Sequence, residues 1–114
     1  MKLLFLCSRN KRRSLTGEKV FNGYDGHVAK SAGTESNSRI KVTEGMLGWA
    51  DIVFCMEKKH LRRIKATYGY VIENKIVRVL NIYDDYEYMD EELIVLLKNT
   101  VEEVLIEYNQ ISQA

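Results

Sequence analysis

The sequence predicts a three-layer α/β fold, a parallel four-stranded sheet with helices on both faces. Two observations predict it. Apolar runs of strand length, at 2–6, 51–56 and 75–82, alternate with longer segments whose apolar residues recur every three or four positions. Strands alternating with helices imply crossover connections and a parallel sheet, and there is no internal repeat or low-complexity linker to suggest another architecture. With 114 residues, the expectation is one domain over 1–114, large enough for a single core.

Lys2-Leu3-Leu4-Phe5-Leu6 is a continuous apolar run, as expected of a central strand covered on both faces. It gives way to the polar, cationic segment Cys7-Ser8-Arg9-Asn10-Lys11-Arg12-Arg13-Ser14, after which Gly17, Val20, Phe21 and Tyr24 form the stripe of a helix lying on a sheet. The turn-rich stretch Asn22 to Gly26 ends that helix. His27 to Ser31 reads as a second strand, short and half polar, suited to a sheet edge. Thr43 is an N-cap for a short helix through Trp49, a core residue.

Asp51 to Met56 supplies the third strand. Glu57 to Gly69 is a helix with an apolar 61/64/68 seam and a glycine stop; its lysines and arginines form a solvated face. Lys75 to Ile82 is the fourth strand, followed by a loop rich in acid and tyrosine from Tyr83 to Met89. Asp90 caps the last helix, whose stripe runs through Leu93, Leu97, Val101, Val104, Tyr108 and Ile111.

Composition narrows the function. Apolar residues at 46% and charged residues at 29% are ordinary globular values, and a net charge of +1 gives no global case for a nucleic-acid or membrane partner. No apolar stretch approaches the roughly 18 residues of a membrane span, and the apolar start is too short for a signal peptide. A cytoplasmic protein is the expectation. Two cysteines do not make a disulfide framework, and His27 and His60 stand alone, so neither a metal nor another cofactor is expected.

The chemistry concentrates at residues 7–14. A loop between the carboxyl end of a strand and the amino end of a helix directs unpaired N–H groups outward and is an anion site. Those N–H groups, the helix dipole and a guanidinium favour the thiolate of Cys7 and would equally hold a phosphate dianion. Arg13 has the planar fork that matches two phosphoryl oxygens. Ser14 can donate to the cysteine sulfur, and Asn10 tolerates a left-handed backbone within a tight loop.

In these residues the chain resembles the low-molecular-weight protein tyrosine phosphatases, whose signature is cysteine, five residues, arginine and serine or threonine after the first strand. Ser31-Ala32-Gly33-Thr34, Ala50-Asp51-Ile52-Val53 leading to Met56, and Asp84-Asp85-Tyr86 extend the resemblance over nearly the whole chain. It implies a sheet in order 2-1-3-4 and phosphate monoester hydrolysis through a phosphocysteine intermediate, of the protein tyrosine phosphatase type. Cys7 would be the nucleophile, Arg13 the phosphate clamp, Ser14 the thiolate stabiliser and Asp84 the general acid. Ser8, Arg9, Asn10, Lys11 and Arg12 would complete the phosphate loop, and Ser31 would brace Asn10. Asp85 stands where the family carries proline and competes with Asp84, while Tyr86 and Tyr88 would wall the cleft.

The implied partners are a phosphorylated protein or small-molecule substrate and a phosphate or other oxyanion. Arg9 and Arg12, where the family carries small or apolar residues, suit a more anionic ligand than phosphotyrosine. Two alternatives stay open at this point. An arsenate reductase or thiol redox protein would pair Cys55 with Cys7; a binding module would hold phosphate or phosphopeptide without turnover.

Overall fold

The computed structural model describes the backbone of residues 1–113 and the side chains of residues 1–110. In chain order the elements are β1 (Lys2–Cys7), α1 (Arg13–Phe21), a 3-10 turn (Tyr24–Gly26), β2 (Val28–Gly33), α2 (Glu44–Trp49), β3 (Ile52–Cys55), α3 (Lys58–Ile72), β4 (Ile76–Val79) and α4 (Glu91–Gln113). The four strands are parallel and lie in the order β2-β1-β3-β4, which puts the apolar first strand beside two neighbours and leaves half-polar β2 at an edge.

Alternation along the central strands divides the core in two. Leu3, Phe5 and Cys7 of β1 face the side covered by α1 and α4, where they meet Phe21, Leu93, Leu97 and Val101. Leu4 and Leu6 face the side of α2 and α3 and meet Leu47, Val53, Cys55 and Ile64. Phe5 stacks between Phe54 and Phe21, with centroids 5.1 and 5.6 Å away. Gly17 lets α1 approach this stack, since a Cβ there would come within 2.7 Å of the Phe5 ring. The close approach fixes the start of α1 directly after the loop that leaves β1.

Caps behave as expected. Thr43 Oγ1 accepts from the Met46 N–H at 3.2 Å, and an Asp90 carboxylate oxygen accepts from the Glu92 N–H at 2.8 Å. The α4 stripe is buried at Leu93, Leu97 and Val101 and half-buried at Val104 and Tyr108, while the expected contribution of Ile111 lies outside the described side chains.

Three boundaries differ from the sequence reading. Gly69 does not stop α3, which bends at Tyr68 (φ −127°, ψ 27°) and continues to Ile72. Ile72 is buried, and docking its side chain outweighs the cost of about 1 kcal/mol for one helical glycine. Strand β2 is displaced toward Gly33, because its edge pairing with β1 runs as far as Cys7. Strand β4 ends at Val79, yet Leu80 and Ile82 still donate their N–H groups to Cys55 and Met56 carbonyls at 2.9 and 2.8 Å. Those two bonds bring the following acidic loop back over the end of β1.

Candidate active site

Residues 8–12 leave the end of β1, turn and enter α1. Their carbonyls are drawn away from the cleft. Thr34 N–H donates to Cys7 O at 2.9 Å, Glu35 N–H to Ser8 O at 2.9 Å and Arg39 N–H to Arg9 O at 2.9 Å. The Arg39 Nε–H donates to Asn10 O at 3.2 Å and Ser38 Oγ to Ser8 O at 3.0 Å. Gly33 permits this packing, because a Cβ there would come within 2.7 Å of the Ser8 carbonyl. Among the described residues no protein acceptor is found for the N–H groups of Ser8, Arg9, Lys11, Arg12 or Arg13. A loop with its carbonyls tied outward and its N–H groups free, running into a helix amino end, is built to receive an anion.

Cys7 lies at the base of this loop and is 4% exposed. Asn10, at φ 59°, folds the loop back so that its own N–H reaches Cys7 Sγ at 3.3 Å. Ser14 Oγ lies 2.9 Å from the sulfur and accepts from Asn10 Nδ2 at 2.8 Å. With its acceptor side occupied by Asn10, the Ser14 hydroxyl is free to donate to sulfur. The sulfur is thus met by two hydrogen-bond donors from its own loop and helix.

Arg13 is buried beside it and doubly held. One Nη1 donates to a Glu57 carboxylate oxygen at 2.6 Å and to the Ile82 carbonyl at 2.8 Å, and its Nε lies 3.7 Å from an Asp84 carboxylate oxygen. Burial pushes the Glu57 carboxyl up, but the hydrogen bond and charge of Arg13, with Lys59 and His60 adding to them, outweigh it and hold the group below the usual range. His60, one turn along α3, accepts the Glu57 backbone N–H on Nδ1 at 3.0 Å. Its proton therefore sits on Nε2, which donates to Ser8 Oγ at 3.1 Å. Burial, then the Arg13 charge, lowers His60 to about 4, so the ring is neutral near pH 7.

A cleft of about 400 Å³ opens over Cys7. Its wall is the loop from Cys7 to Arg13, Asn10 excepted, together with Glu35, Lys59 and Asp84. Thus most of the sequence-predicted site residues come together here. The others do not. Ser31 turns its hydroxyl to Glu18 at 2.8 Å instead of bracing Asn10, whose buried Oδ1 is left without a partner. Asp85 is exposed and outside the cleft wall, and Tyr86 packs half-buried against the α1–α4 core. Tyr88 is 45% exposed and does not wall the cleft.

Sequence reasoning missed Glu57, His60, Glu35, Lys59 and Arg39. For Glu57 and His60 a signal existed: an acid directly after a buried strand, with a polar partner three positions on, has capping-box spacing.

The geometry opposes a Cys7–Cys55 disulfide. Leu6 and Cys55 are register partners, so Cys7 and Cys55 differ by one position and point to opposite faces of the sheet. A disulfide needs both Cβ atoms on one side within about 4 Å. Both thiols are free, and burial raises Cys55 to about 12.

Fold and site together define an α/β protein with a buried cysteine at the base of a loop of free N–H groups, at the carboxyl ends of its parallel strands. The fold is that of the low-molecular-weight protein tyrosine phosphatases. The tyrosine phosphatase Wzb from Escherichia coli K30, solved with phosphate, superposes with a TM-score of 0.72 at 18% identity, over 93% of this chain and 96% of that chain. The YwlE arginine phosphatase from Geobacillus stearothermophilus matches at 0.70 and 17% identity, over 96% of each chain. The low-molecular-weight protein tyrosine phosphatase SP-PTP from Streptococcus pyogenes matches at 0.70 and 15% identity, over 93% of this chain and 91% of that chain. No family model and no curated relative matches the sequence.

Proposed function

We propose that this protein hydrolyses phosphate monoesters by the protein tyrosine phosphatase mechanism, through a phosphocysteine at Cys7. The observation that carries this reading is the buried Cys7 sulfur, met by Ser14 Oγ at 2.9 Å and the Asn10 N–H at 3.3 Å, below a cleft edged by Arg13 and Asp84. The thiolate attacks phosphorus and the P–O bond to the leaving group breaks. Asp84 gives its proton to the departing oxygen. Water then attacks the phosphocysteine, Asp84 takes the water proton, and inorganic phosphate leaves with the thiolate restored.

Free loop N–H groups and the Arg13 guanidinium meet the equatorial oxygens, where charge is concentrated in the transition state. Arg13 suits this role because Glu57 and the Ile82 carbonyl fix it from behind. Further support comes from the solved relatives. A YwlE mutant carries a phosphorylated active-site serine, and Vibrio vulnificus Wzb is solved with benzylphosphonate. Two free thiols agree with a reducing, cytoplasmic setting, in which residues 1–114 act as one catalytic domain.

The test is hydrolysis of p-nitrophenyl phosphate by reduced protein and by Cys7→Ser, with EDTA present. The reading expects turnover that ignores the chelator and disappears in the variant. Full activity in Cys7→Ser would overturn it, and oxyanion binding without turnover in the unmodified protein would make it a binding module.

A further inference from the structure

The chemistry of the cleft wall is one-sided. Among the described residues no aromatic or aliphatic side chain lines it; Tyr86 is turned into the core and Tyr83 and Tyr88 face solvent. A phosphotyrosine ring would find little apolar surface here, although such surface supplies most of the affinity for an aryl group. Instead the wall presents five cations, Arg9, Lys11, Arg12, Arg13 and Lys59, against two carboxylates, Glu35 and Asp84.

These cations fall into two kinds. Arg13, with a side chain 3% exposed, is locked by short bonds and cannot leave the scissile phosphate. The other four are exposed and loosely held. Arg9 sits 3.4 Å from Glu35 and Arg12 3.8 Å from Glu87, with side chains 58% and 49% exposed. Lys59 is 3.7 Å from Glu57, whose same oxygen already holds Arg13 at 2.6 Å. Lys11 has no ion-pair partner among the described residues. Exposed pairs of this length are worth little and exchange readily for a better anion.

We propose that the substrate is a compact, non-aromatic phosphomonoester with a second phosphate, the first held by the Arg13 loop and the second by the exposed Arg9, Lys11, Arg12 and Lys59 side chains. This rests on the phosphatase reading of Cys7 and specifies its substrate class. A cleft of about 400 Å³ accommodates a molecule of sugar-bisphosphate size.

Calorimetric titration of the Cys7→Ser protein separates the substrate class from turnover. Fructose bisphosphate, fructose monophosphate and a phosphotyrosine peptide with acidic flanks serve as probes. The bisphosphate is expected to bind at least about tenfold tighter than the monophosphate, since charge-assisted contacts are among the strong ones. In Cys7→Ser carrying Lys11→Gln and Lys59→Gln, with Arg9 and Arg12 left in place, that ratio should fall severalfold. Equal affinities for the two sugar phosphates, or tightest binding of the peptide, would overturn the proposal while leaving the phosphatase reading intact. No binding of any phosphate compound would overturn both.

Discussion

Cys7 and Cys55 close neighbouring strands one register position apart, and their sulfurs face opposite sides of the sheet. The arrangement leaves one thiol for chemistry and one for packing. Treatment of the folded protein with peroxide should yield no Cys7–Cys55 disulfide, as read by peptide mass mapping without prior unfolding. Cys55→Ala should retain activity and lose about 1 kcal/mol of stability, as a small core truncation does. A cross-link formed in the native state would contradict the placement of the two strands.

Glu57 is the residue that keeps Arg13 in place, through the 2.6 Å bond to Nη1. Removing it leaves a buried guanidinium short of its counter-charge. Glu57→Ala should therefore destabilise the protein by about 3 kcal/mol in urea unfolding and raise KM for p-nitrophenyl phosphate. Glu57→Gln, which keeps a hydrogen-bond acceptor but not the charge, should recover only part of the stability. Full recovery in Glu57→Gln would mean that the counter-charge is not what stabilises Arg13.

Acid should weaken the fold from an unusually high pH. The unfolded chain takes a proton on His60 near the ordinary 6.5, whereas the folded chain does so only near 4. Between those values unfolding binds a proton, so stability falls as pH falls, by about 3 kcal/mol in all. Glu57 acts in the same direction lower down. Its folded value is depressed, so its contribution is complete above the ordinary 4.5 and is lost as pH falls through the folded value. Melting temperature against pH should decline from pH 6.5 downward, and His60→Gln should flatten the upper part of that decline.

Asp84 approaches Arg13 Nε at 3.7 Å and is 60% exposed, close enough to the cleft to reach a leaving group and open enough to exchange protons with solvent. Asp84→Asn should slow hydrolysis of esters with poor leaving groups by roughly 10²–10⁴ and that of p-nitrophenyl phosphate less. Asp85→Asn, outside the cleft wall, should change little. The reverse ranking would transfer the acid role to Asp85.

What the sequence made legible follows from how local each signal was. The strand at 2–6, the loop at 7–14 and the stripe of Leu93, Leu97 and Val101 are contiguous or periodic, so the cysteine loop and its place at the carboxyl end of a central strand could be read directly. Gly69 misled because a local propensity was overridden by burial of Ile72. Glu57 reads only as the start of a helix and His60 as an isolated histidine, and only the proximity of β3 to β1 turns them toward Arg13 and Ser8. Tyr86 shares its loop with Asp84 but packs the other way, a choice set by the α4 core and not by its neighbours in sequence. Ser31 is expected to brace Asn10, but Glu18 from the first helix claims its hydroxyl.

The central claim is that Cys7 becomes phosphorylated during turnover. The direct measurement is rapid acid quenching of Asp84→Asn during reaction with p-nitrophenyl phosphate, followed by peptide mass analysis under conditions that preserve thiophosphates. The account predicts a phosphoryl group on the peptide containing Cys7, formed in step with a burst of p-nitrophenol and absent in Cys7→Ser. Steady turnover with no modified Cys7 peptide and no burst would contradict it, and would assign the displacement to water rather than to the cysteine.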